Sequence, residues 1–231
     1  MTDKTLHLLN NIPFNLEKDG IFNSMKIKNN SEYANELSDL MDLALTLIKP
    51  KAAFRQCRIT ERNGDRVSVN SVEFESHILA KILSTVETTF VFVATCGSEL
   101  ENMAIPRDEF LKWFCLDTIK EKALEAAVDY LFAFIKQKYN LTKLPSMSPG
   151  SADGNVWRIE QQKPLFSLLG DTKKLIGVEL TKSCLMIPNK SVSGLCYSTG
   201  VELVSCQLCM RENCHERKAR FNPELKAEYE S

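Results

Sequence analysis

The chain has 231 residues, and its 29 Lys and Arg against 30 Asp and Glu give a formal net charge of -1. That balance excludes a general nucleic-acid binder, which carries a basic excess on its domain. A content of 44% hydrophobic and 26% charged residues excludes global disorder, and nine glycines and eight prolines exclude collagen-like or linker-dominated designs.

The length suits one sizeable domain or two small ones. Residues 1–30 are polar, with Asn and Lys clusters and little periodicity, and read as an irregular lead-in. The opening segment lacks a basic stretch followed by a long apolar one, so no signal peptide is expected. The longest apolar run, Phe90 to Ala94, falls far short of the ~18 residues that suggest a membrane span. Eight cysteines without a secretory signal read as reduced thiols or ligands rather than as a disulfide framework. The expectation is a soluble, cytoplasmic chain with no nucleic-acid and no membrane partner.

From Ser31 the pattern turns helical. Leu37, Leu40, Met41, Ala44, Leu45 and Ile48 share one face, Ser31 can cap the helix and Pro50 marks its end. A hairpin follows: Cys57 and Ile59 alternate with polar residues, Asn63 and Gly64 supply a tight turn with φ > 0, and Val67 and Val69 return. Ile78, Leu79, Ile82 and Leu83 predict a short amphipathic helix. The run Thr88 to Thr95, apolar on both faces, predicts a covered central strand.

Asp108 to about Gln137 carries the strongest helix pattern. Phe110, Phe114, Ala123, Ala126, Ala127, Tyr130, Leu131, Phe134 and Ile135 are read as lining one side. A helix of ~30 residues spans ~45 Å. Residues 141–157 form a Pro/Gly/Ser-rich stretch with no period, the kind of long loop that is usually functional or disordered. A short helix over 161–169 is stopped by Gly170. Three β-like segments lie at 176–180, 184–187 and 191–197, and an apolar run covers 201–204. The chain thus divides into the lead-in, a domain over 31–205, and a cysteine-containing basic tail over 206–231.

The tail holds Cys206, Cys209 and Cys214, a C-x2-C-x4-C arrangement that can bring three thiolates to one ion or cluster. A fourth ligand could be His215, Cys196 or an exogenous group. The spacing differs from the common ferredoxin runs, and a thiol–disulfide pair or three unused cysteines are the competing readings. Arg211, Arg217, Lys218 and Arg220 surround the cluster and favour thiolate; as a solvated basic end they are balanced by Glu212, Glu216 and Glu224. His7, His77 and His215 are widely separated, and no H-E-x-x-H, G-x-S-x-G or Walker sequence is present. Glu121, Glu125 and Asp129 recur every fourth residue on the long helix. They are either a solvated face eased by Lys120 and Lys122, or a carboxylate surface for a cationic ligand. Ser148, Pro149, Gly150 and Ser151 lie in the long loop, where Pro149 fixes φ and Gly150 lets a ligand approach the backbone.

Three segments together resemble one family: SMSPGSADGNVWRIEQQKPLFSLLG (146–170), IGVELTKSCLMIPNKSVSGL (176–195), and FVFVATCGSELEN (90–102) leading into LDTIKEKALEAAVDYL (116–131). They are similar to the activation domain of vitamin B12-dependent methionine synthase and its stand-alone relatives. The stretch 186–194 is the most specific part, and the cysteine tail matches the free-standing relatives only. The resemblance implies an α+β fold with a twisted antiparallel sheet and long flanking helices. It further implies S-adenosylmethionine bound in a shallow groove, through backbone around Ser148, Pro149, Gly150 and Ser151, with Glu121 and Glu125 facing its cationic end. The implied partner is a corrinoid-carrying methyltransferase whose cobalamin has slipped to the inactive Co(II) state. An electron from a flavodoxin or ferredoxin-like donor and a methyl from S-adenosylmethionine restore it. The family motif reads R-x-x-x-G-Y, whereas Ser146 and Ser151 stand here at the Arg and Tyr positions.

Two functional readings follow. The first is an accessory protein for reductive reactivation of a corrinoid methyltransferase, with Cys206, Cys209 and Cys214 holding an iron–sulfur cluster that relays the electron. The second is an interaction module that keeps the fold, binds Zn or an iron–sulfur cluster through the same cysteines, and has lost the nucleotide.

Overall fold

A computed structural model describes residues 5–28, 31–106, 108–152, 156–198, 203–214 and 217–230. Its centre is strand β5 (Thr88–Thr95), the apolar run that the sequence marks as covered on both faces. β5 pairs antiparallel with β2 (Lys51–Asn63) on one side and with β9 (Ser191–Tyr197) on the other. The hairpin strands β3 (Arg66–Val69) and β4 (Val72–Glu75) extend the sheet beyond β2, and the two-residue β6 (Ser146–Met147) extends it beyond β9. Every pairing is antiparallel. β2 is long enough to serve two neighbours in succession: its first half also pairs with β1 (Leu6–Leu9), its second half with β3. An irregularity between Ile59 and Glu61 separates the β3 pairing into two registers.

Side chains alternate across the sheet, so each strand feeds two cores. Phe54, Phe90, Phe92 and Ala94 point to the helix α4 (Phe110–Tyr139), where Ala127, Leu131 and Ile135 meet them. Ala53, Val91, Val93 and Leu195 point the other way. There they meet the helices α3 (His77–Ile82), α5 (Gln162–Leu169) and α6 (Thr172–Ile176), together with the fully buried Trp157. A third cluster joins α1 (Lys18–Ser24) and α2 (Glu32–Leu47) to the first half of α4 through Ile21, Leu37, Met41, Cys115 and Ile119. None of the described helices is long and apolar enough to cross a membrane.

Several sequence expectations are corrected. The expected irregular lead-in holds β1, whose Leu6 to Leu9 alternate against β2, and α1, which buries Ile21 and Phe22. In the first hairpin Asn63 remains in the strand, opposite Arg66. Gly64 (φ 56°) and Asp65 make the turn. The positive-φ pair sits instead at Asn70 and Ser71 (φ 45° and 66°), where β3 turns into the unexpected β4. Asn70 Oδ1 accepts from the Arg58 amide at 2.9 Å and steadies that turn.

On α4 the buried stripe runs through Cys115, Ile119, Ala123, Ala127, Leu131 and Ile135, every fourth residue, and widens to Leu116 and Lys120 in the first half. Phe110 and Phe114, read as core, are 76% and 53% exposed, and Tyr130 faces solvent as well. They lie off that stripe. Ile176 closes α6 rather than opening a strand, and β7 (Glu179–Leu180) with β8 (Met186–Ile187) forms a separate small ribbon. The tail contains a 3-10 turn at Ser205–Leu208 and the helix α7 (Pro223–Glu230), whose Leu225 and Tyr229 pack on the α3 core. The run read at 201–204 is buried at Leu203; residues 201 and 202 lie outside the described residues.

Candidate functional site

Between α4 and the β6–β9 end of the sheet lies a cavity of about 750 Å³, a volume suited to a small-molecule ligand. Its floor is apolar. Phe92 and Val192 come from the sheet, and Leu124, Val128 and Phe132 from α4. Phe92 and Phe132 meet edge to face, with centroids 5.3 Å apart. Glu121, Glu125 and Asp129 line one wall, because residues four apart share a helix face. Lys136, Lys143 and Lys218 line the same cavity. The cavity therefore presents both signs of charge over an apolar floor.

The acidic residues are neither a bare carboxylate patch nor a purely solvated face. Glu125 accepts from Lys122 at 2.8 Å. Glu121 accepts from Lys190 at 3.2 Å, and the same ammonium lies 3.0 Å from Asp117. Burial works to lower the Lys190 ammonium, but the Asp117 and Glu121 carboxylates outweigh it and hold the group above its ordinary range. Lys120, read as easing the acidic row, turns instead to Glu101 at 2.9 Å.

The sequence reading passes over Phe92, Phe132, Lys136 and Lys143 in the lining, and over Lys190, which does not line the cavity but pairs with its acidic wall. Lys190 sits in the 186–194 stretch, just before β9, and its carbonyl accepts from the Cys96 amide at 3.0 Å. Ser191 Oγ then meets Thr95 Oγ1 at 2.9 Å. The stretch thus fastens the start of β9 to the end of β5 and ties it by charge to α4.

The Ser148–Ser151 loop is tightly built. The Gly150 amide donates to the Trp157 carbonyl at 2.7 Å, and the Ser151 amide to the Ser148 carbonyl at 3.1 Å. Gly150 has φ 81°, and a Cβ there would stand 2.7 Å from Ile159 Cδ1. Gly194 on β9 is needed for a different reason: a Cβ would run into the Met147 carbonyl and stand 2.9 Å from Ser148 Oγ. Its bare backbone lets β6 and the loop lie close to β9.

The expected loop residues do not share one cavity. Ser146 and Ser148 line the acidic cavity with Glu121 and Glu125. Gly150 and Ser151 line a second cavity of about 640 Å³, with Arg158 and Arg211. Pro149 lines neither. Ser151 Oγ is buried without a hydrogen-bond partner among the described residues. Ser205 and Cys206 line both cavities and form the boundary between them.

Cys206, Cys209 and Cys214 all line the second cavity. They are partly accessible, whereas Cys57, Cys96, Cys115, Cys184 and Cys196 are buried. Cys196, named as a fourth ligand, lies in the core under α4, and His215 lies outside the described residues. No group of three or more His, Cys, Asp or Glu among the described residues is arranged to hold a metal ion. Arg217, read as part of a solvated basic end, instead turns inward. Its guanidinium donates to the carbonyls of Cys206 at 3.1 Å, Cys209 at 3.2 Å and Ala219 at 3.1 Å, and also to that of Arg211. Exposed His77 pairs with Asp65 at 2.7 Å, away from both cavities.

Compared by sequence, the chain matches no protein-family model and none of the curated proteins. Compared by structure, it is similar to the MetH reactivation domain bound to AdoHcy, with a TM-score of 0.57 and 14% identity. The likeness covers 87% of this chain and 80% of that domain. What the chain shares with that domain is its fold: α+β, an antiparallel sheet flanked by a long helix.

Proposed function

We propose that the chain is an accessory reactivation protein which binds S-adenosylmethionine for a corrinoid-carrying methyltransferase, a methionine synthase lacking its own activation domain. The observation that carries this reading is the mixed-charge cavity under α4, on a fold shared with a domain that binds AdoHcy. S-adenosylmethionine presents a sulfonium, an ammonium and a carboxylate beside a flat adenine. Glu121, Glu125 and Asp129 answer the cations, Lys136 and Lys143 answer the carboxylate, and Phe92, Val128 and Phe132 offer an apolar surface to the base.

The lysines also bear on the missing motif arginine. An ammonium lacks the bidentate fork of Arg, so the carboxylate would be held as a point charge. Ser148 lies at the rim, where the ligand can meet the loop backbone; Gly150 and Ser151 shape that loop from the other cavity. The chain's contribution is to hold the methyl donor and to exclude water, so that the methyl faces the partner's cobalamin at reacting distance. An electron from a flavodoxin or ferredoxin-like donor completes the remethylation, in the cytoplasm. The reacting site is composite, because the corrinoid belongs to the partner.

Calorimetric titration of S-adenosylmethionine and AdoHcy into the full chain tests the reading. Saturable one-site binding is expected, weakened about tenfold or more by Glu125→Gln, since a charge-assisted contact contributes about 1.5–3 kcal/mol. Absence of binding, both to the free chain and in the presence of a corrinoid methyltransferase, would overturn it.

A further inference from the structure

We infer that Cys206, Cys209 and Cys214 carry a four-iron iron–sulfur cluster in the second cavity. Three observations converge on this. First, the only partly accessible thiols of the chain all line the same 640 Å³ cavity, while the other five are buried elsewhere. Second, the peptide that bears them is held by a single side chain. Arg217 donates through its guanidinium to the carbonyls of Cys206 and Cys209, and through its own amide to that of Cys214 at 3.3 Å. The Lys218 amide is directed at Cys206 Sγ, at 3.5 Å. One arginine thus fixes the backbone at all three cysteines, which line a common space. Third, positive charge exceeds negative among the described residues of the lining: Arg158 and Arg211 stand there beside the single carboxylate Glu160. A cluster on three thiolates is anionic, so these arginines and Arg217 stabilise it.

A cluster suits three cysteines spread around one cavity better than a single ion does. Zinc on thiolates has bonds of about 2.3 Å, which gathers the sulfurs to about 3.8 Å from one another. No three donors among the described residues are gathered in that way, yet the three cysteines line one cavity. A cluster is ligated at separate irons and so accepts sulfurs that stand farther apart. Three cysteines leave one iron for a further ligand, and Cys206, lining both cavities, places the cluster against the mixed-charge site.

This inference stands apart from the S-adenosylmethionine reading, since its test contains no S-adenosylmethionine. The full chain is purified without oxygen, supplied with iron and sulfide, desalted, and assayed for both elements and by electron paramagnetic resonance after reduction with dithionite. About four irons and four sulfides per chain are expected, with a brown colour and a reduced-cluster signal. Cys206→Ser, Cys209→Ser and Cys214→Ser should each lose most of the iron while keeping the wild-type far-ultraviolet circular dichroism. Arg217→Lys should retain all thiols yet hold the cluster less firmly, losing iron several-fold faster to a chelator. A colourless wild-type chain, whether metal-free or holding one zinc, would overturn the inference, and so would iron uptake unaffected by all three serine variants.

Discussion

The two faces of the central sheet are covered in different ways, and the difference locates the site. One face is closed by α3, α5 and α6 together with Trp157, and its side chains from Val91 to Leu195 are fully enclosed. The other has α4 as the one described helix of its cluster, with Ile12 and Leu144 filling in beside it. Over the sheet this one helix buries a stripe only one residue in four wide, Ala127, Leu131 and Ile135. Beside that stripe the flank of α4 stands over Phe92 and Val192 without filling the space between, and carboxylates occupy the flank. Three helices make a core; one helix makes a core and a cavity.

The most forceful way to break the comparison is to remove a large side chain from each face. Trp157 is 0% exposed and meets Phe74 edge to face with centroids 5.7 Å apart. Trp157→Ala should lower unfolding free energy by about 3–5 kcal/mol, because the enclosed face cannot collapse around the void. Phe132→Ala enlarges a space that is already open and should cost clearly less, while weakening ligand binding. Urea unfolding of both variants checks this, and equal losses would show that the two faces are packed alike.

Alkaline pH probes the enclosed regions next. Burial pushes the Cys57 and Cys115 thiols from their ordinary 9.0 to about 11, and Cys96 to about 12. Below pH 9 these thiols are neutral in both states and cost nothing. Between pH 9 and 11 the unfolded chain loses their protons while the folded chain keeps them, so stability falls as pH rises. The slope is about 1.4 kcal/mol per pH unit for each such thiol. Cys57→Ala should flatten the alkaline limb of a stability–pH curve; an unchanged slope would contradict the burial of that thiol.

What could be read from the sequence follows the same division. β5 announces itself because both of its faces are apolar, and α4 because thirty residues of helical period outweigh local exceptions. β1 and β4 are four residues each, too short for alternation to stand out, and are fixed by pairing with β2 and β3. Phe110 and Phe114 look like core because aromatic residues usually are, but α4 begins before it reaches the sheet. At the site, the acidic row and the Ser148–Ser151 loop are visible as separate features. Their distribution between two cavities depends on Gly194 admitting β6 to the sheet edge, and no local pattern encodes that. The role of Arg217 is equally hidden, since a tail arginine that binds four carbonyls has the same sequence context as one in solvent.

The open face should respond through binding rather than stability. Glu125 pairs with Lys122 on the surface of α4, where an ion pair contributes about 0–1 kcal/mol. Glu125→Gln should therefore leave the melting temperature within a few degrees of wild type while reducing affinity for S-adenosylmethionine about tenfold. A loss of stability to match the loss of affinity would make the acidic row a structural feature.

Lys190 gives the smallest and most discriminating test. Its ammonium neutralises part of the acidic wall by engaging Glu121 and Asp117, and all three groups are partly solvated. Lys190→Met keeps most of the length of the side chain and removes the charge. The fold should lose no more than about 1 kcal/mol, because partly exposed pairs are screened. With this cation removed, less of the Glu121 charge is neutralised, so a cationic ligand should bind two- to threefold more tightly, an effect that shrinks as salt is added. If Lys190 served instead as an anchor for the ligand carboxylate, the same variant would bind more weakly. The sign of one small change in affinity therefore decides which end of a zwitterionic ligand lies against β9.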